Sequence, residues 1–86
     1  MTGRTVKVTL PVGDGTRPAA MLVRTASEFE GCSIHLENEA KRVNAKSIMG
    51  MITLGLFPGE EITVTADGNN EEEAVKRISE CLGVVI

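Results

Sequence analysis

The chain has 86 residues, of which 42% are hydrophobic and 24% are charged, and its net charge at pH 7 is −3. This length favours one domain over residues 1–86 and excludes a deep catalytic cleft shared with a second lobe. The acidic charge, with no Trp or Tyr and two Phe, argues against direct binding to nucleic acid, which needs a basic face and stacking rings.

No stretch of the sequence has the pattern of a targeting or membrane-spanning segment. The chain enters a strand pattern directly, without the apolar region of a signal peptide. No apolar run approaches the roughly 20 residues of a membrane span. Cys32 and Cys81 have neither a CxxC spacing nor a histidine at ligand spacing. We therefore expect a cytoplasmic protein with two reduced cysteines, no metal site and no membrane partner.

The first half of the chain predicts a strand, a loop and a helix. Residues 4–10 alternate between apolar and polar side chains, which is typical of a half-buried strand. Residues 11–15 contain two glycines and a proline and predict a loop. A helix then begins at Thr16, with Pro18 in its first turn, where the missing amide costs nothing, and it ends at Gly31.

The second half alternates again at residues 33–37, 41–45 and 61–67, which predicts three more strands. The last helix follows a turn, and Asn70 with Glu73 fits a capping box. Its predicted buried stripe consists of Ala74, Val75, Ile78, Cys81 and Leu82. The order βαββαβα, with amphipathic strands throughout, indicates an α+β fold in which helices cover one face of a four-stranded sheet.

A short apolar helix lies between the third and fourth strands. Ser47 is a good N-cap residue, and Gly55 is a typical helix stop. Ile48, Met49, Met51, Ile52 and Leu54 make the segment apolar on nearly every side. A helix this short cannot bury every side in so small a domain. We therefore expect part of it to remain exposed as a docking surface, for which flexible methionine is well suited.

The residues alone give little support for an enzyme. His35 is the single histidine, predicted to lie on the polar face of a strand without a nucleophile or base beside it, so we assign no catalytic residue and no cofactor. Two helix starts remain as candidates. Thr16 and Arg17 could bind an anion, and the Ser47 hydroxyl could carry a phosphate stabilised by first-turn amides. At both places an ordinary helix cap is the alternative.

Longer motifs go beyond spacing. Thr-Arg-Pro-Ala-Ala at residues 16–20, Val-Asn-Ala-Lys-Ser-Ile-Met-Gly at residues 43–50 and Glu-Glu-Ile-Thr at residues 60–63 resemble HPr, the phosphocarrier of the bacterial phosphoenolpyruvate sugar phosphotransferase system. The resemblance covers essentially the whole chain. It implies an HPr-like open-faced β-sandwich, with a four-stranded antiparallel sheet and the helices on one side.

One position departs from the family pattern. In HPr the loop before Arg-Pro-Ala-Ala carries a histidine that accepts phosphate from Enzyme I, and this sequence has Gly15 there. Nothing supports Asp14 or Thr16 as a substitute acceptor, and His35 lies in a predicted strand. The resemblance therefore predicts a protein without the phosphoryl-accepting histidine, as in the Crh-type members of the family.

The second phosphorylation site of the family is intact. The resemblance implies that Ser47 is phosphorylated by HPr kinase/phosphorylase and that the phosphoprotein binds a catabolite control transcription factor. Ile48, Met49 and Ile52 would form the partner surface, with Thr16 and Arg17 as an anion- or partner-binding element. One alternative is a phosphocarrier-type component of the sugar phosphotransferase system with Enzyme I as a partner. Another is an interaction domain that accepts no phosphate.

Overall fold

A computed structural model describes residues 1–9, 16–54 and 59–85, and the side chains of residues 16–19 and 84–85 fall outside that description. Its elements are β1 (Thr2–Val8), α1 (Thr16–Ser27), β2 (Cys32–Glu37), β3 (Arg42–Asn44), α2 (Ile48–Leu54), β4 (Glu61–Gly68), α3 (Glu71–Leu82) and β5 (Gly83–Val85). The strands form one antiparallel sheet in the order β3-β2-β4-β1-β5. The predicted α+β architecture is confirmed.

The short strand β5 was not predicted. It pairs with β1 through the register pairs Val6↔Val85, Lys7↔Val84 and Val8↔Gly83. A Cβ atom at Gly83 would lie 2.2 Å from the Lys7 carbonyl oxygen, so glycine permits the close approach of the chain as it leaves α3. A three-residue strand is too short to show an alternating pattern, and its pairing depends on a distant part of the chain.

The first strand begins two residues earlier than predicted, at Thr2 instead of residue 4. The reason is pairing with β4, which extends from Thr2↔Ala66 to Lys7↔Glu61. Val6 and Val8 are buried as the alternation predicts. The predicted last residue, Leu10, lies outside the described residues.

The core is a mainly aliphatic layer between the sheet and the helices. It comprises Val6, Val8, Leu22, Ala26, Phe29, Cys32, Ile34, Leu36, Ala45, Met51, Leu54, Ile62, Val64, Ala66, Ala74, Val75, Ile78 and Leu82. On α3, four of the five predicted stripe residues are buried, but Cys81 is half-buried and Ser79 is 1% exposed. Ser79, which the predicted stripe did not include, lies at helical spacing from Val75 and Leu82, so packing buries it despite its hydroxyl.

The start of α3 is stabilised by Glu71 and not by the predicted capping box. Asn70 has left-handed backbone angles (φ 57°, ψ 32°) and makes no side-chain cap hydrogen bond, so the Asn70–Glu73 capping box was wrong. The Glu71 carboxylate accepts hydrogen bonds from the Gly68 amide at 3.2 Å and the Thr2 hydroxyl at 2.6 Å. It also pairs with the Met1 ammonium at 2.8 Å. One carboxylate therefore joins the starts of β1 and α3.

Ser79→Ala should raise the free energy of unfolding by about 1 kcal/mol. The Ser79 Oγ is buried and has no hydrogen-bond partner among the described residues, and burying such a group carries a desolvation cost. Alanine is also a better helix former. Urea unfolding followed by circular dichroism measures the change. The matched control is Thr25→Val, because the Thr25 hydroxyl is partnered by the Met21 carbonyl and its removal should not stabilise the protein. A destabilised Ser79→Ala variant would contradict the prediction.

Glu71→Gln should destabilise the protein most between about pH 4.5 and pH 8. The Met1 ammonium, the Thr2 hydroxyl and the Gly68 amide lower the pKa of Glu71 from 4.5 to about 2, so its stabilisation is complete above pH 4.5 and is lost as the pH falls towards 2. The hydrogen bond to Glu71 raises the pKa of the Met1 ammonium above 8.0. The stabilisation that the charged ammonium contributes is therefore lost as the pH rises through this raised pKa.

The measurement is urea unfolding of both proteins across this pH range. Glu72→Gln, at the exposed next position, is the control and should lower the free energy of unfolding at pH 7 by less than Glu71→Gln does. A difference between the Glu71 variant and the unmodified protein that persists unchanged at pH 2 would contradict the assignment.

Candidate functional site: the Ser47 turn and the start of α2

The site begins with a tight turn between β3 and α2. The Asn44 side-chain oxygen accepts from the Lys46 amide at 2.8 Å, and the Asn44 carbonyl accepts from the Ser47 amide at 3.0 Å. The Ala45 amide donates to the Ile34 carbonyl at 2.9 Å, and Ala45 is fully buried. Asparagine favours such turns because its side chain replaces a backbone acceptor. The turn is therefore held against β2, and Ser47 lies at the surface.

Ser47 caps α2. Its hydroxyl oxygen accepts from the Gly50 amide at 3.2 Å, and its carbonyl accepts from the Met51 amide at 3.0 Å. A Cβ atom at Gly50 would lie 3.3 Å from the Val43 Cβ and 3.5 Å from the Ser47 Oγ, so glycine suits this crowded first turn. The predicted N-cap is confirmed, and phosphorylation of the exposed Ser47 stays a prediction.

The side chains of α2 divide between the core and the solvent. Met51 and Leu54 are 1% and 6% exposed, whereas Ile48, Met49 and Ile52 are 39%, 68% and 47% exposed. We call these last three residues the apolar surface. The expectation that part of the segment stays outside the core is confirmed, and Met51, which the pattern left open, belongs to the core.

Met21 is an exposed apolar residue that the sequence reasoning missed. It lies on α1, the helix that contacts α2, and half of its surface is exposed. A signal for it was available in the sequence. Met21 lies outside the buried face of α1, at a position where an amphipathic helix normally carries a polar residue. Met21 therefore adds an exposed apolar side chain on a helix that contacts α2.

Thr16 and Arg17 form the start of α1, as predicted. Their side chains, and all of Asp14 and Gly15, lie outside the described residues. Two statements therefore remain predictions. One is that Thr16 and Arg17 bind an anion, and the other is that Gly15 stands at the position of the phosphoryl-accepting histidine.

His35 lies in β2, opposite Asn44 of β3 and Thr65 of β4. It is half-buried, so it is less exposed than predicted. Burial and the nearby Arg42 guanidinium lower the pKa of His35, while Glu37 opposes the shift. The ring is therefore biased towards its neutral form within the sheet.

Other candidate chemistry is sparse in the described ranges. Cys32 is a buried free thiol and Cys81 a half-buried one. Within residues 1–9, 16–54 and 59–85, no three His, Cys, Asp or Glu side chains are grouped so as to hold a metal ion. No helix in this part of the chain has the length and apolar character needed to cross a membrane.

Comparison with known proteins assigns the family. A family model described as "PTS HPr component phosphorylation site" matches residues 2–83. The chain belongs to the HPr family. HPr-like protein Crh of Bacillus subtilis (strain 168) is 40% identical over 79 residues, which are 92% of each chain. The HPr resemblance of the motifs is thereby confirmed, and the chain is Crh-like. Proteins of the HPr family are phosphocarriers and not catalytic enzymes.

Solved HPr-family structures agree with the fold. A phosphocarrier protein HPr from Bacillus anthracis str. Ames superposes with a TM-score of 0.87 at 38% identity, covering 94% of this chain and 95% of that one. A crystal structure of Bacillus subtilis Crh, described as a domain-swapped dimer, gives a TM-score of 0.72 at 40% identity, covering 94% and 92%. The family architecture therefore extends over nearly the whole chain.

Ser47→Ala should lower the free energy of unfolding by about 1 kcal/mol, because the Gly50 amide loses its side-chain acceptor. Ser47→Asp should keep most of the stability, since aspartate is an equally good cap and its charge is favourable at a helix start. Urea unfolding of the three proteins checks both statements. Equal stability of the alanine and serine proteins would show that the observed hydrogen bond does not stabilise α2.

Proposed function

We propose that this chain is a non-catalytic regulatory HPr-family protein, switched by phosphorylation of Ser47. The phosphorylating enzyme would be an HPr kinase/phosphorylase using ATP. The partner that binds the phosphorylated protein would be a catabolite control transcription factor. The observation that carries the proposal is the exposed Ser47 hydroxyl, directly followed by the exposed side chains of Ile48, Met49 and Ile52. The 40% identity to HPr-like protein Crh supports a regulatory member of the family.

Phosphate on Ser47 would change this surface mainly through charge. A phosphoserine carries roughly −1.5 to −2 charges at pH 7 and three strong acceptor oxygens. The bond between the Ser47 oxygen and the Gly50 amide places the modified atom at the positive end of α2. A partner with a basic group and an apolar pocket could then bind the phosphate and the apolar surface together. Without the phosphate, only the apolar contact remains.

The histidine pathway has less support. Gly15 occupies the position where the family resemblance places the phosphoryl-accepting histidine, and the single histidine of the chain lies in β2. We infer that Thr16 and Arg17 serve as an anion- or partner-binding element at the start of α1. A phosphocarrier-type component that works with Enzyme I is the alternative, and an interaction domain without phosphorylation is a further one.

The proposal includes a setting for this activity. An ATP-dependent kinase and a transcription factor act inside the cell, so we propose a cytoplasmic protein. We further propose that residues 1–86 act as one domain that binds proteins and neither nucleic acid nor membrane directly, in keeping with its net charge of −3.

Mass spectrometry after two incubations tests the proposal. ATP with HPr kinase/phosphorylase should add one phosphate to Ser47, and phosphoenolpyruvate with Enzyme I should add none. Ser47→Ala should remove the label, whereas Ser33→Ala, which changes another exposed serine in β2, should keep it. Label from phosphoenolpyruvate would favour the phosphocarrier alternative. No label from ATP on the unmodified protein, with a known substrate labelled in parallel, would contradict the proposed switch.

A further inference from the structure

The side chain next to Ser47 makes an unexpected contact. The Lys46 Nζ donates a hydrogen bond to the Phe29 carbonyl oxygen at 2.8 Å, across 17 positions of sequence, in a partly buried environment. The backbone of Lys46 is itself held, because its amide donates to the Asn44 side chain at 2.8 Å. Lys46 therefore connects the turn that carries Ser47 to the end of α1.

The Phe29 carbonyl is a suitable acceptor for this ammonium. Phe29 lies just beyond the last residue of α1, and its amide donates to the Ala26 carbonyl at 3.1 Å. The carbonyl end of a helix carries partial negative charge, so a lysine ammonium just beyond the end of α1 is favourable. The Phe29 ring is buried, with the Arg77 guanidinium 5.5 Å from its centre. The acceptor is thus anchored in the core.

A second lysine provides a natural comparison. Lys41, on the other side of β3, donates from its Nζ to the Thr53 carbonyl at 3.2 Å, near the end of α2. Both lysines donate to a carbonyl in or just beyond the last turn of a helix, but Lys41 is exposed and Lys46 is half-buried. Only Lys46 is adjacent to Ser47. The Lys46 contact therefore stabilises the turn before α2, and the Lys41 contact lies near the end of α2.

We propose that Lys46 is a positioning residue for the phosphorylation of Ser47, a step that rests on the proposed function. Its hydrogen bond to the Phe29 carbonyl holds the turn in one arrangement. The Ser47 hydroxyl and the start of α2 are therefore already ordered before a kinase binds. Without the bond the turn populates further arrangements. The apparent affinity then falls in proportion to the fraction of molecules that remain in the competent arrangement.

Lys46→Met tests the proposal, since methionine keeps an unbranched apolar stem and removes the donor. Losing a hydrogen bond of this kind corresponds to about a fivefold change in an equilibrium. Because the apparent affinity follows the fraction of molecules in the competent arrangement, the KM for phosphorylation of Ser47 should rise by up to about fivefold, with kcat unchanged. Lys46→Arg, which restores a cationic donor, should recover most of the affinity. Lys41→Met is the matched control and should leave the KM unchanged.

A second measurement needs no kinase. Hydrogen exchange of the Ser47, Gly50 and Met51 amides, all of which donate in the turn and first helical turn, should accelerate in Lys46→Met and not in Lys41→Met. A raised KM without faster exchange would mean that the kinase contacts Lys46 directly, which overturns the positioning role. Unchanged exchange and KM would also overturn it. If the unmodified protein accepts no phosphate, the proposed function fails, and the exchange comparison alone decides whether Lys46 orders the turn.

Discussion

The short length of α2 is the constraint on which the site depends. Seven residues are too few for a helix that is stable in water by itself, so α2 relies on burial of Met51 and Leu54 and on the Ser47 cap. Burial uses one side of the helix and leaves Ile48, Met49 and Ile52 outside the core. The same constraint therefore explains both the stability of α2 and its exposed apolar surface.

The rest of the fold holds this short helix in place. The sheet and the three helices enclose a mainly aliphatic core, while β3 and the turn at Ala45 connect α2 to β2. Lys46 adds a link from that turn to the end of α1. Phosphorylation of Ser47 would thus act on a surface that is already ordered, which suits a switch that changes charge more than shape.

Several features follow from local patterns in the sequence. Alternation predicted four strands, helical spacing predicted most of the buried stripe of α3, and the serine before an apolar run predicted the start of α2 at Ser47. These predictions succeeded because each depends on residues that are close together in the sequence. The motifs at residues 16–20, 43–50 and 60–63 together indicated the HPr family, which the match over residues 2–83 confirms.

Other features were decided only by tertiary structure. Strand β5 exists because β1 is available to pair with it, and Ser79 is buried because α3 lies on the sheet at that point. Glu71 replaces the predicted cap because Thr2 and Met1 lie within its reach, and Lys46 finds its acceptor 17 residues away. The sequence by itself determined the three helices, the first four strands and the place of Ser47 among them. The folded chain decided which polar groups meet across elements, because such contacts depend on distances that no local pattern encodes.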